Sequence, residues 1–134
     1  MKFLIAILLA ALPLASPAQT PAGTAAAAPL VPIPPTTAVL VLLTPRHGVT
    51  VHQIMAVMPS ELRETVKLYL NGTIREWYSR GNGRGVILLL DLRSVEEARA
   101  VMAALPLAKE QLMDYEYIPV GPLIPLRMLL RAGS

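Results

Sequence analysis

A chain of 134 residues with 12 Lys and Arg against 9 Asp and Glu has room for one domain and carries a modest positive charge. It contains no cysteine, which excludes disulfides, zinc–thiolate sites, thiol nucleophiles and a lipid anchor on Cys. The basic residues are scattered and not interleaved with aromatics, so the composition argues against nucleic-acid binding.

Lys2, an apolar run from Phe3 to Leu14, and the small residues that follow have the pattern of a secretory signal over residues 1–18. Ser16-Pro17-Ala18 offers a small-x-small cleavage site and makes Gln19 the first mature residue. The alternative is an uncleaved anchor, but a spanning helix needs roughly 20 apolar residues and this run is shorter. The mature chain is therefore expected in the periplasm or outside the cell, without a stable membrane anchor. Residues 19–35, QTPAGTAAAAPLVPIPP, are rich in Pro and Ala, with no charge and no apolar period. Such a stretch cannot bury a core and reads as a flexible linker. The folded domain is expected over residues 36–134.

Thr36 to Leu43, TTAVLVLL, is apolar on both faces, as in a buried central strand. Thr50 and Gln53 form a capping-box pattern that opens a helix. Val51, Ile54, Met55, Met58, Leu62, Val66, Tyr69 and Leu70 give that helix one apolar stripe, and Pro59 predicts a kink or a restart at Ser60. Asn71-Gly72 closes it. Thr73 to Arg80 alternates as a second strand, with Ile74, Glu76 and Tyr78 on one face and Arg75, Trp77 and Ser79 on the other. Gly81-Asn82-Gly83-Arg84-Gly85 is a hairpin turn. A phosphate-cradling loop is disfavoured there because no helix opens behind it. Val86 to Leu92 is a third strand. Ser94 and Glu97 then suggest a second capping box, opening a helix that Pro106 stops. A short helical turn over 108–113 and a fourth strand over Tyr115 to Val120 follow, and Pro119 marks a strand end or edge. The order β-α-β-β-α-β predicts an α+β, ferredoxin-like sandwich. Helices cover only one face of such a sheet, while the first and third strands are apolar on both. A homodimer that pairs two sheets face to face, as a dimeric α/β barrel, would bury the second face; a monomer covered by its apolar tail is the rival.

Gly72-Thr73-x-Arg75, Asp91-x-x-Ser94-Val95-Glu96 and Leu105-Pro106-Leu107 stand at separations that resemble the muconolactone isomerase family of dimeric α+β barrels. The resemblance spans residues 37 to 120. It implies cofactor-free and metal-free isomerisation of a small unsaturated lactone, in a homodimer or larger homo-oligomer. The export signal, the linker and the Gly121-Pro122-Leu123-Ile124-Pro125-Leu126 segment depart from that pattern, so the specific lactone does not carry over.

A lactone double-bond shift needs a base poised near neutral pH and a donor for the enolate oxygen. Glu76 and Glu116 lie on predicted strands beside aromatics, where burial would raise a carboxylate toward that range. Arg75 is the candidate for holding a carboxylate or enolate oxygen. Tyr78 is a hydrogen-bond donor candidate, and His47 a second acid–base candidate in a loop. Trp77, Tyr115, Tyr117 and His52 are candidates for shaping a substrate pocket. Strand alternation keeps Arg75 and Glu76 from lining one cavity together. The structural alternative is a cross-strand ion pair between Arg75 and Glu116 with tyrosines that only pack. His47 and His52 without an intervening acid make a poor metal site. Three functions therefore stand: an exported isomerase or lyase acting on a small carbonyl compound, a non-catalytic barrel that binds a small apolar ligand or a protein partner, and heme- or flavin-free oxygenation, for which the sequence offers only Trp77 and a pocket.

Overall fold

The computed structural model describes residues 32–126. Residues 1–31, where the sequence predicts an export signal and most of a linker, and the tail beyond Leu126 lie outside the described residues. The elements are β1 (Ala38–Pro45), α1 (Val51–Leu70), β2 (Ile74–Ser79), β3 (Val86–Leu90), α2 (Val95–Ala103), α3 (Pro106–Lys109) and β4 (Met113–Val120). The strands form one antiparallel sheet in the order β2-β3-β1-β4, an α+β arrangement compatible with the ferredoxin-like fold. No helix among the described residues is long and apolar enough to cross a membrane.

Alternation along β1 divides the sheet into two faces. Val39, Val41 and Leu43 are buried on the helix side, where Ile74, Leu88 and Leu90 join them. Ala98 and Met102 of α2, with Leu105, Leu107, Leu112 and Met113, complete this core. On the other side Leu40 and Leu42 are only half-buried, paired across the ladders with Leu89 and Ile87. No helix among the described residues covers that face.

The helix ends follow local chemistry. Thr50 accepts the Gln53 N–H, and the Gln53 side chain accepts the Thr50 N–H at 2.8 Å, so the first capping box is complete. The second is one-sided: Ser94 accepts from Glu97 N–H, but the Glu97 carboxylate turns to the Arg93 N–H at 3.0 Å. Asn71 caps α1 and Gly72 follows at φ 83°, the left-handed turn that glycine adopts without strain.

Three sequence expectations change. Helix α1 runs through Pro59 without a restart, and Ser60 caps nothing; its hydroxyl donates to the Val57 carbonyl at 2.8 Å. Pro106 does not merely stop α2 but opens α3, at the first-turn position where a missing N–H costs nothing. The stripe on α1 is rotated from the expected one. Ile54, Val57, Met58 and Leu68 pack on the core, with Glu61 and Thr65 buried beside them. Val51, Met55, Leu62, Val66, Tyr69 and Leu70 are exposed.

Candidate functional site

A cavity of about 450 Å³ opens between α1 and the helix-side face of the sheet. This is within the size range of small-molecule pockets. Ile54, Met58 and Leu62 of α1 form one wall, Leu43, Val86 and Leu88 the floor, and Leu107 and Met113 one end. Trp77, Tyr78 and Ser79 of β2 line the opposite side, and Gly83 and Gly85 of the hairpin reach its edge. The hairpin lies close against β1: a Cβ on Gly85 would stand 1.9 Å from the Leu43 carbonyl oxygen, and the residue has φ +110°.

The one charged side chain in this lining is Glu61, which is only 6 % exposed. Its position follows from helical spacing: Ile54, Met58, Glu61, Thr65 and Leu68 succeed one another at intervals of three and four, so all face the sheet. Carboxylate Oε2 accepts the Leu107 N–H at 2.9 Å, from the start of α3. Thr65 donates its hydroxyl proton to the Glu61 backbone carbonyl at 2.8 Å, leaving Oε1 at 3.5 Å without a strong donor. Burial raises the Glu61 carboxyl above its ordinary value of 4.5, while the Leu107 N–H and Thr65 oppose the shift. A buried carboxyl that holds a proton more tightly than usual, with one oxygen pinned and the other unclaimed, can serve as a general base or acid.

The residues singled out from sequence divide among three places. Trp77 lines the cavity, while Tyr78 borders it with its ring turned to Glu76 on the other face of the sheet. Trp77 stacks on Tyr69 with ring centroids 4.5 Å apart, and Tyr78 donates its hydroxyl proton to the Glu76 carboxylate, which raises the phenol above its ordinary value. Tyr115 and Tyr117 lie beneath the helices, partnered across the ladder with Leu43 and Val41. Burial pushes both phenols up; Arg99 stacks on Tyr117 at 4.6 Å, and the Tyr115 hydroxyl has no hydrogen-bond partner. Glu76 and Glu116 sit on the open face of the sheet and are exposed, so burial within this chain does not act on them as the sequence suggested. His47 and His52 are exposed and outside the cavity lining. Among the described residues no group of three or more acids and histidines could hold a metal ion.

Arg75 departs furthest from the expected geometry. Ile74 pairs with Leu90 and Glu76 with Leu89, so two steps along β2 match one along β3 and Arg75 is the extra residue of a bulge. The bulge resets the alternation: Ile74 and Trp77 share the helix side, while Glu76 and Tyr78 face the other way. The Arg75 guanidinium pairs with Asp91 and donates to the Thr37 carbonyl, so it meets neither Glu116 nor the cavity.

Neither the family models nor the curated proteins contain a match to this chain. The site therefore stands on its own geometry, and that geometry centres on Glu61 rather than on any carboxylate expected from the sequence.

Proposed function

We propose that this chain is an exported, cofactor-free isomerase or lyase that moves a proton on a small carbonyl compound, with Glu61 as the base. The observation that carries this reading is the buried carboxyl of Glu61 in a cavity otherwise lined mainly by apolar side chains. Bound beside Oε1, a carbonyl compound would lose the proton next to its carbonyl to Glu61. The C–H electron pair would become the enolate, and the same proton would return to the carbon further along the conjugated chain. Substrate and product are isomers, and Glu61 ends as it began. Trp77 and Ser79 are lining residues whose side chains can donate to the enolate oxygen.

The resemblance to the muconolactone isomerase family supports the same chemistry and adds an assembly. In a face-to-face homodimer, the dimeric barrel, Leu40, Leu42, Ile87, Leu89 and Ile118 would lose their water, and Glu76 and Glu116 would be enclosed at the joint. The apolar run from Phe3 to Leu14 supports export.

The test is conversion of a β,γ-unsaturated five-membered lactone, 5-methyl-3H-furan-2-one, followed by proton NMR in deuterated water. The wild-type chain should accelerate both deuterium uptake next to the carbonyl and formation of the conjugated isomer. Glu61→Gln should lower that rate by about 100-fold or more, the usual range for loss of a general base. If the lactone binds but is not turned over by either protein, the second reading takes over: a barrel that binds a small apolar ligand without catalysis. The apolar lining, which by itself requires no reaction, favours that reading.

A further inference from the structure

We infer that the cavity selects uncharged ligands and excludes both carboxylates and ammonium ions. The inference rests on the reading that the cavity holds a small molecule, and it narrows the substrate class. Among the described residues that line the cavity, Glu61 is the only charged one and none is cationic. Three arginines are engaged elsewhere, and Arg84, between Gly83 and Gly85 at the cavity edge, is exposed and not itself a lining residue. Arg46 pairs with Asp114 at 3.1 Å, Arg75 pairs with Asp91, and Arg80 donates to Thr44 at 2.9 Å; none of the three belongs to the lining.

An anionic ligand would lose its hydration in an apolar space, find no counter-charge, and lie against a second carboxylate. Each of these effects opposes binding, and no contact in the lining offsets them. An ammonium ion fares differently but still poorly. It brings three N–H donors, and the carboxylate offers it one unclaimed oxygen, because Oε2 is already taken by the Leu107 N–H. The Tyr78 hydroxyl is committed to Glu76. Among the lining side chains the ammonium's other donors would have only the Ser79 and Thr65 hydroxyl oxygens, the second already tied to the Glu61 carbonyl, and a buried ion pair offsets its desolvation only when its remaining hydrogen bonds are satisfied.

A neutral carbonyl compound makes no such demand. It has one strong acceptor and an apolar body. Protonated, Glu61 supplies one O–H at Oε1 to meet that acceptor; ionised, it faces an acidified C–H that needs no solvation shell. The cavity therefore suits unsaturated ketones, esters and lactones without a free acid group. It does not suit keto acids, lactone carboxylates or amines.

The experiment uses the full chain and three naphthalene probes that share a skeleton and differ in charge: 2-acetylnaphthalene, 2-naphthoate and 2-naphthylmethylammonium. Binding is read at pH 7 from the indole N–H resonance of Trp77, the single tryptophan in the chain and a wall of the cavity. The ketone should shift this resonance with a Kd at least about tenfold below that of either ion, since desolvating an unpaired charge outweighs one hydrogen bond. Glu61→Gln should keep ketone binding and narrow the gap to naphthoate, because it removes the like charge. Naphthoate or the ammonium binding as tightly as the ketone overturns the inference, whether or not the variant folds. A Trp77 resonance that responds to none of the three overturns it together with the small-molecule reading. Selective ketone binding without lactone isomerisation leaves the charge selection standing and removes only the catalytic proposal.

Discussion

Glu61 is tied into two elements by hydrogen bonds: its own helix, where its carbonyl accepts from Thr65, and the start of α3, where its carboxylate accepts the Leu107 N–H. The consequence for stability has a definite sign. Because burial raises the folded carboxyl above its ordinary 4.5, the native state binds this proton more tightly than the unfolded chain does. Its contribution is fully present in acid and is lost as pH rises through the raised value. The melting temperature of wild type relative to Glu61→Gln should therefore fall as pH rises from about 4.5 toward neutrality, and a difference independent of pH would count against the buried, protonated carboxyl. The residue was hard to find from sequence for a physical reason. Leu62, Val66 and Tyr69 are large and apolar and drew the stripe toward themselves, yet all three stay exposed, Leu62 at the cavity wall and Tyr69 against Trp77. The available signal was weaker: Glu61 and Thr65 continue the three-and-four spacing that Ile54 and Met58 begin.

At the level of elements, the strands were the most legible part. The apolar runs in β1 and β3 needed only to lie adjacent in one sheet, and the ladder pairs Val41 with Leu88 and Leu42 with Ile87. Alternation in β2 misled because a bulge is a property of two strands in register and leaves little trace in one of them. The hairpin that joins β2 to β3 is fixed by backbone contacts: the Arg80 N–H donates to Gly85 at 3.0 Å, and the Gly83 N–H donates to Arg80 at 2.9 Å. Gly85 combines an unusual φ of +110° with the approach to Leu43, so a side chain there meets both strain and a fixed backbone oxygen. Gly85→Ala should lower stability by about 2 kcal/mol, measured by urea unfolding. Gly81→Ala, which meets no atom within 4 Å and needs no positive φ, should change it little.

At the scale of the whole molecule the central fact is a sheet that the described residues dress on one face and leave bare on the other. Ile118 is 37 % exposed and Tyr78 is 56 % exposed on the bare side, beside the half-buried Leu40, Leu42, Ile87 and Leu89. Water against so much aliphatic surface is unfavourable, at about 25 cal/mol for each Å². If two sheets close on each other as proposed, the wild-type chain should sediment as a dimer or a multiple of one. Leu40→Glu should then give a folded monomer, because it places a charge without a partner at the centre of the joint, between Leu89 and Ile118. A wild-type monomer would remove the barrel assembly while leaving the Glu61 cavity, which lies on the other side of the sheet, intact.

The bulge at Arg75 also bears on how the chain tolerates changes in length. Because Arg75 is the residue without a partner on β3, a chain shortened by that one residue would regain an unbroken ladder. Ile74, Glu76, Trp77 and Tyr78 would keep the partners they have, at the cost of the Arg75–Asp91 ion pair. Loss of Trp77 or Tyr78 would instead move the residues between Ile74 and the gap to the opposite face. Position 75 is thus the point in this strand where sequences of unequal length can share one sheet.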